Sequence, residues 1–193
     1  MNSISKNTLG WPEHVTIPDG LEIRFTDMEN PFMQKAFLHM VKHAELQKAL
    51  GIRPVTSVIR TKDGPLIYGV VGELEDEDDV TWHEKEGRCA RYQAGSATAN
   101  SDYDSCPGCR HDRHSERAAV RKALRDGIDL TDSELYMYGQ WWACESCMTA
   151  VRDAKIPVLY VLKDSRPLFD RSVEGQNKNR AIFEASWHQK ITA

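Results

Sequence analysis

His114, Glu116, Cys144 and Cys147 are the residues of this sequence whose types and spacing carry chemistry. One imidazole and two thiolates make three zinc ligands. Three protein ligands leave the fourth tetrahedral position open to water, which marks a catalytic rather than a structural ion. Glu116 follows His114 by two residues, close enough to handle the protons of that water. A second constellation lies just upstream. Cys106-Pro107-Gly108-Cys109 is a C-x-x-C turn with zinc-knuckle geometry, and Cys89 and His111 would complete a structural second metal site. The alternative for these thiols is that they are simply reduced cysteines in a loop. If His111 or Cys109 instead joined His114, Cys144 and Cys147, the first centre would be closed and inert.

Other residues are weaker candidates. Arg110, Arg113, Arg117 and Arg121 gather at the start of a helix, the last three roughly on one face. They could meet an acidic segment, pair across a subunit interface or hold a phosphate, a role that falls chiefly to Arg110 or Arg113. Trp141 and Trp142 precede the thiolates, and either could stack on a base or pack in the core. His39 and His43 are four apart and could chelate a metal. No third ligand is near them in sequence, so they read as ordinary histidines. Glu73–Asp79 (ELEDEDD) reads as a solvated acidic loop, with a magnesium site as the remote alternative.

The elements that must position these groups can be read in order. Residues 1–28 are irregular, broken by Pro12, Pro18 and Gly20, with a short strand at Leu21–Phe25; they are expected to form a packing arm. Asn30-Pro31 is a helix start, and Phe32, Ala36, Phe37, Met40, Val41 and Ala44 continue at helical spacing as far as Gly51. Val55–Arg60 and Leu66–Val71 flank turn residues and read as a hairpin. About residues 73–105 read as a long inserted loop. Helices are expected at Glu116–Arg125, Cys144–Ala154 and Gln176–Gln189, and strands at Leu135–Tyr138 and Val158–Leu162. His114 and Cys144 thus stand at helix starts, where the dipole favours thiolate. Strands alternating with helices imply an α/β fold whose sheet has parallel neighbours and helices on its faces.

Composition sets the limits. The 193 residues suit a single domain, 1–193. With 25 Lys and Arg against 29 Asp and Glu, the net charge is −4, which argues against nucleic acid as a partner. Five cysteines, an odd number with metal spacing, argue for a reducing compartment rather than a disulfide framework. The first residues have no apolar core of a signal peptide. No apolar run approaches the ~20 residues needed to span a bilayer. A soluble, cytoplasmic protein without membrane partners is expected.

From Cys106 to about Leu162 the sequence resembles the cytidine deaminase superfamily, and most its deoxycytidylate (dCMP) deaminase branch. His114-Ser115-Glu116 with Cys144-Glu145-Ser146-Cys147 is similar to the H-x-E…C-x-x-C signature of zinc deaminases. HSERAAV resembles the family's HAExNAI, and ACESC followed by MTAVRDAKI resembles its PCxxC helix and the turn after it. Cys109 matches a cysteine often found at that place in dCMP deaminases. The resemblance implies a three-layer αβα sandwich around a mixed sheet of about five strands. It implies zinc held by His114, Cys144 and Cys147, Glu116 as proton shuttle, and a homo-oligomer. The implied activity is hydrolysis of the small-molecule nucleotide dCMP to dUMP and ammonia. The alternatives are another superfamily enzyme acting on a nucleoside, base or nucleic acid, or a non-catalytic zinc-stabilised nucleotide-binding module. Three departures stand out. Ala143 replaces a proline, Ser115 an alanine, and Gly69-Val70-Val71-Gly72 leads into the acidic run where the family has a GYNG-like loop.

Overall fold

Helix and strand starts lie close to where capping chemistry and periodicity put them. The computed structural model describes residues 9–94 and 103–193. In chain order the elements are β1 (Glu22–Thr26), α1 (Pro31–Ala49), β2 (Thr56–Arg60), β3 (Leu66–Val70), α2 (Trp82–Glu86), α3 (Ala90–Gln93), α4 (Ser115–Arg125), β4 (Glu134–Tyr138), α5 (Glu145–Asp153), β5 (Val158–Leu162), α6 (Arg166–Phe169) and α7 (Gln176–Thr192). Asn30 caps α1 as expected: its side chain accepts from the amides of Phe32 (2.9 Å) and Met33 (3.2 Å), with Pro31 at the first helical position.

The strands form one mixed sheet of order β1-β5-β4-β2-β3. β1, β5 and β4 run parallel, while the β2–β3 hairpin lies antiparallel to β4. The alternation of side chains along each strand divides the core in two. Ile59 of β2 and Leu135 and Met137 of β4 pack with Ala119, Val120 and Ala123 of α4 and Met148 and Val151 of α5. Val58, Tyr136 and Tyr138 point the other way, onto Met33, Phe37 and Met40 of α1 and Phe169 of α6. The protein is therefore α/β, with helices on both faces of a five-stranded sheet.

The irregular arm contributes β1, which pairs in register with β5 (Ile23 against Leu159), and Trp11 and Val15 join the core beside it. Residues 1–8 of that arm and 95–102 of the expected long loop lie outside the described residues. The rest of that loop is more structured than its weak periodicity suggests. It carries α2, α3 and a series of tight turns before α4. The acidic run is not simply solvated either. Glu73 is fully buried, accepting from the amides of Val70 and Asp79 at 3.0 Å each and pairing with Lys122 at 2.5 Å.

One glycine sets the depth of α4. A Cβ at Gly69 on β3 would lie 2.1 Å from the carbonyl oxygen of Ser115 and 2.6 Å from the amide nitrogen of Ala119. The first turn of α4, with His114 at its N-cap, therefore rests directly on the strand backbone. Among the described residues no helix is long and apolar enough to cross a membrane.

Candidate functional site

His114 and Cys144 are the N-cap residues of α4 and α5, and both have extended backbone that turns the side chain towards the other helix start. His114 Nδ1 lies 3.5 Å from Cys144 Sγ and 3.4 Å from Cys147 Sγ. With Zn–S ~2.3 Å and Zn–N ~2.0 Å, the S···N edge of a zinc tetrahedron is about 3.5 Å. The two edges from His114, to Cys144 and to Cys147, thus match those of a zinc tetrahedron.

Their electrostatics favour ligand chemistry. The hydrogen bond from Cys147, opposed by burial and supported by His114, brings the Cys144 thiol down to about 2. Burial first, and then the hydrogen bond with Cys144, pushes the Cys147 thiol up. Burial works against charge on His114, but the adjoining Cys144 thiolate outweighs it and raises the imidazole.

Glu116 is buried beside them. Desolvation above all, with the Cys144 charge adding to it, raises its carboxyl above the usual range. Its Oε2 accepts from the Ser115 hydroxyl at 3.0 Å, and Ser115 Oγ is 2.9 Å from Ser57 Oγ on β2. Ser115 thereby links one oxygen of the Glu116 carboxylate to the sheet.

A second cluster stands a short distance away, and its membership differs from expectation. Cys89, Cys106 and Cys109 converge, but the fourth group is His83 rather than His111. His83 Nε2 lies 3.5 Å from Cys106 Sγ and 3.4 Å from Cys109 Sγ, and Cys89 Sγ lies 4.0 and 3.7 Å from the same two sulfurs. Tetrahedral edges are about 3.8 Å for S···S and about 3.5 Å for S···N. The sulfurs are far beyond the ~2.05 Å of a disulfide. All four residues are buried, so this group can hold a metal ion and fits zinc.

The backbone is cut to admit His83. A Cβ on Gly108 would lie 2.5 Å from the ring, and one on Gly72 would lie 2.7 Å from its Nδ1. The ring sits between two glycines, one of them the glycine of the Pro-Gly turn. The signal that could have found it is Thr81-x-x-Glu84, a capping box that starts α2 one residue before His83.

His111 is drawn elsewhere by its aromatic neighbours. Its ring lies tilted against Tyr103 (4.8 Å between centroids) and His114 (5.1 Å), and its ligand nitrogen is within 4.8 Å of the ligand atoms of His114 and Cys144. It stands at the edge of the first centre, not in the second.

Both clusters border one cleft. His114, Glu116, Cys144 and His111 line one part, and His83, Cys89 and Cys109 another. Arg110 and Arg113 do not line it. Arg110 is exposed and pairs with Asp112 at 3.3 Å, while Arg113 is half-buried, its Nη1 buried without a hydrogen bond. Arg117 and Arg121 are spent on backbone carbonyls of Ser146, Asp112 and Glu73. Among the described residues the arginines that line the cleft are Arg53, Arg91 and Arg171. Burial above all, then the charges of Arg180 and Arg171, brings Arg53 down to about 9. Burial likewise lowers Arg171. Trp142 lines the cleft, whereas Trp141 lies under the Arg166 guanidinium, 4.8 Å from its ring centre.

In comparison with known proteins, the chain matches no family model and no curated protein.

Proposed function

We propose that this chain is a zinc-dependent hydrolytic deaminase of the cytidine deaminase superfamily, converting dCMP and water to dUMP and ammonia. The observation that carries the proposal is the meeting of a three-ligand His-Cys-Cys centre with a buried, non-ligand carboxyl, Glu116, at one end of a cleft. Zinc held by His114, Cys144 and Cys147 supplies, when bound, Lewis acidity that makes water a nucleophile at neutral pH.

The remaining work falls to the chain. Glu116 takes a proton from the attacking water and delivers it to N3 of the pyrimidine. As the C4–N bond breaks, the same carboxyl takes the proton of the new C4 hydroxyl and passes it to the departing amine, so one oxygen enters C4 and ammonia leaves. A buried carboxyl with a raised pKa suits a group that must both accept and return a proton. Ser115 fixes its orientation. Trp142 offers a face for the base.

The phosphate falls to Arg53 and Arg171, with Arg91 beside them. Crowded, desolvated guanidinium groups are stabilised by an arriving anion; Arg53, whose two terminal nitrogens already donate to the Phe169 carbonyl and Gln176 Oε1, contributes its charge. His83, Cys89, Cys106 and Cys109 hold a second, structural zinc, since four protein ligands leave no open position.

The test is ammonia release from zinc-loaded protein given dCMP, CMP, dCTP, deoxycytidine, cytosine, adenosine and single-stranded DNA. dCMP is expected to outpace deoxycytidine, and Arg171→Met to remove that advantage while deoxycytidine turnover stays as it was. Faster turnover of deoxycytidine or DNA would refute the nucleotide assignment. His111 favours a second reading: as a fourth ligand it would close the centre and leave a non-catalytic module. In that case no substrate reacts in zinc-loaded protein.

A further inference from the structure

His39 and His43 lie one turn apart on α1, and both are buried. Nothing near them in sequence completes a site, but the fold brings a third group from 36 residues beyond His43. The acidic run folds back because Glu73 is buried and binds the amide of Asp79. Asp79 itself adopts a left-handed φ of 65°. Its Oδ1 lies 3.1 Å from His43 Nε2 and 3.2 Å from His39 Nε2, and all three ligand atoms are within 4.8 Å of one another. The N···O edge of a zinc tetrahedron is about 3.4 Å.

Two further observations point to a ligand. Glu84 Oε1 accepts from His43 Nδ1 at 2.8 Å, while its Oε2 is held by the Thr81 amide in the capping box of α2. A proton on Nδ1 leaves the Nε2 lone pair facing Asp79, the carboxylate–histidine pairing that orients metal ligands. His39 is only 9% exposed, and its Nε2 makes no hydrogen bond, because the contact with Asp79 lacks the alignment of one. A buried nitrogen without a partner calls for an explanation, and a cation is one that also satisfies its neighbours. The other charged groups nearby are engaged: Lys42 pairs with the second oxygen of Asp79, and Lys122 with Glu73.

We propose that His39, His43 and Asp79 form a third metal site, for a divalent first-row transition ion such as zinc or cobalt, opening onto the surface cleft beside Tyr68. Two imidazoles and one carboxylate suit such ions better than magnesium or calcium. The site ties α1 to the start of α2 through Glu84 and so braces the helix that delivers His83.

The test is metal stoichiometry. Protein is equilibrated with excess zinc, desalted, and its zinc measured per chain by mass spectrometry. Wild type is expected to hold one zinc more than His39→Gln or Asp79→Asn, with both variants folded by circular dichroism. Cobalt added to zinc-replete wild type, desalted after a chelator wash too mild to strip thiolate-bound zinc, is expected to give ligand-field bands without sulfur charge transfer. Lys42→Ala, which removes an exposed competitor for Asp79, is expected to tighten cobalt binding several-fold. Equal zinc in wild type and both variants, with no such bands, would overturn the proposal and leave a proton-bridged His43–Asp79 pair. If the variants fail to fold, the cobalt bands and the Lys42→Ala shift decide alone.

Discussion

At the scale of single residues, the proposed deamination would divide the work of proton transfer between Ser115 and Glu116. Glu116 has a raised pKa because it is buried near a thiolate, and Ser115 holds one of its oxygens through a chain that ends on Ser57 of β2. A hydrogen bond to a charged group contributes about 1.5–3 kcal/mol, and a positioned carboxylate loses effectiveness when its rotamer is free. Ser115→Ala is therefore expected to lower kcat by about tenfold, the equivalent of ~1.4 kcal/mol. KM and zinc content should stay near wild type. Steady-state kinetics on dCMP checks this, and an unchanged kcat would show that Ser115 only fills space.

At the scale of elements, close packing and charge pairing hold the centre in place. Gly69 lets α4 rest on β3, with no room for even a methyl group against the carbonyl of Ser115. Gly69→Ala forces that helix start to move. Overpacking of this kind typically costs about 1–3 kcal/mol. A lowered melting temperature is expected together with weaker zinc retention, because His114 caps the displaced turn; wild-type values of both would show that the strand yields instead. A second element-scale contact is polar. Arg60 and Glu134 are register partners on β2 and β4, joined at 2.8 Å, and Tyr136 donates to the same carboxylate oxygen at 2.6 Å. The Arg60 hydrogen bond is the main cause holding the Glu134 carboxyl below its ordinary value of 4.5. A depressed folded-state pKa means that the contribution to stability is present above that ordinary value. It is lost as the pH falls through the lower, folded-state one. Glu134→Gln is accordingly expected to flatten the acid side of the stability curve, read as melting temperature between neutral pH and the acid limb. A curve that falls as steeply as wild type would assign the acid sensitivity to other carboxylates.

At the scale of the whole molecule, what the sequence discloses is what lies close together along the chain. Asn30-Pro31, the turn between β2 and β3, and the apolar faces of α4 and α5 are local signals, and their elements stand within a few residues of the expected places. His114, Glu116, Cys144 and Cys147 are legible for the same reason: two short motifs each sit at one helix start. The rest depends on distant segments meeting. His83 reaches the cysteines from a stretch with little periodicity, Asp79 reaches α1 from a run anchored by buried Glu73, and Arg53 and Arg171 enter the cleft from segments far apart in the chain. Arg110 and Arg113 are close to His114 in sequence, yet neither lines the cleft.

The deaminase assignment meets its most direct test in Glu116→Gln, with zinc content and ammonia release from dCMP measured on the same sample. Gln has nearly the same shape and is not asked to bind the ion, so zinc per chain and melting temperature should match wild type. It cannot carry the proton, and a positioned acid–base group supplies about 10²–10⁴-fold in rate. A loss of turnover of that order with zinc retained is the predicted result. Wild-type turnover in the zinc-loaded variant would contradict proton transfer by Glu116, and with it the chemistry assigned to the cleft.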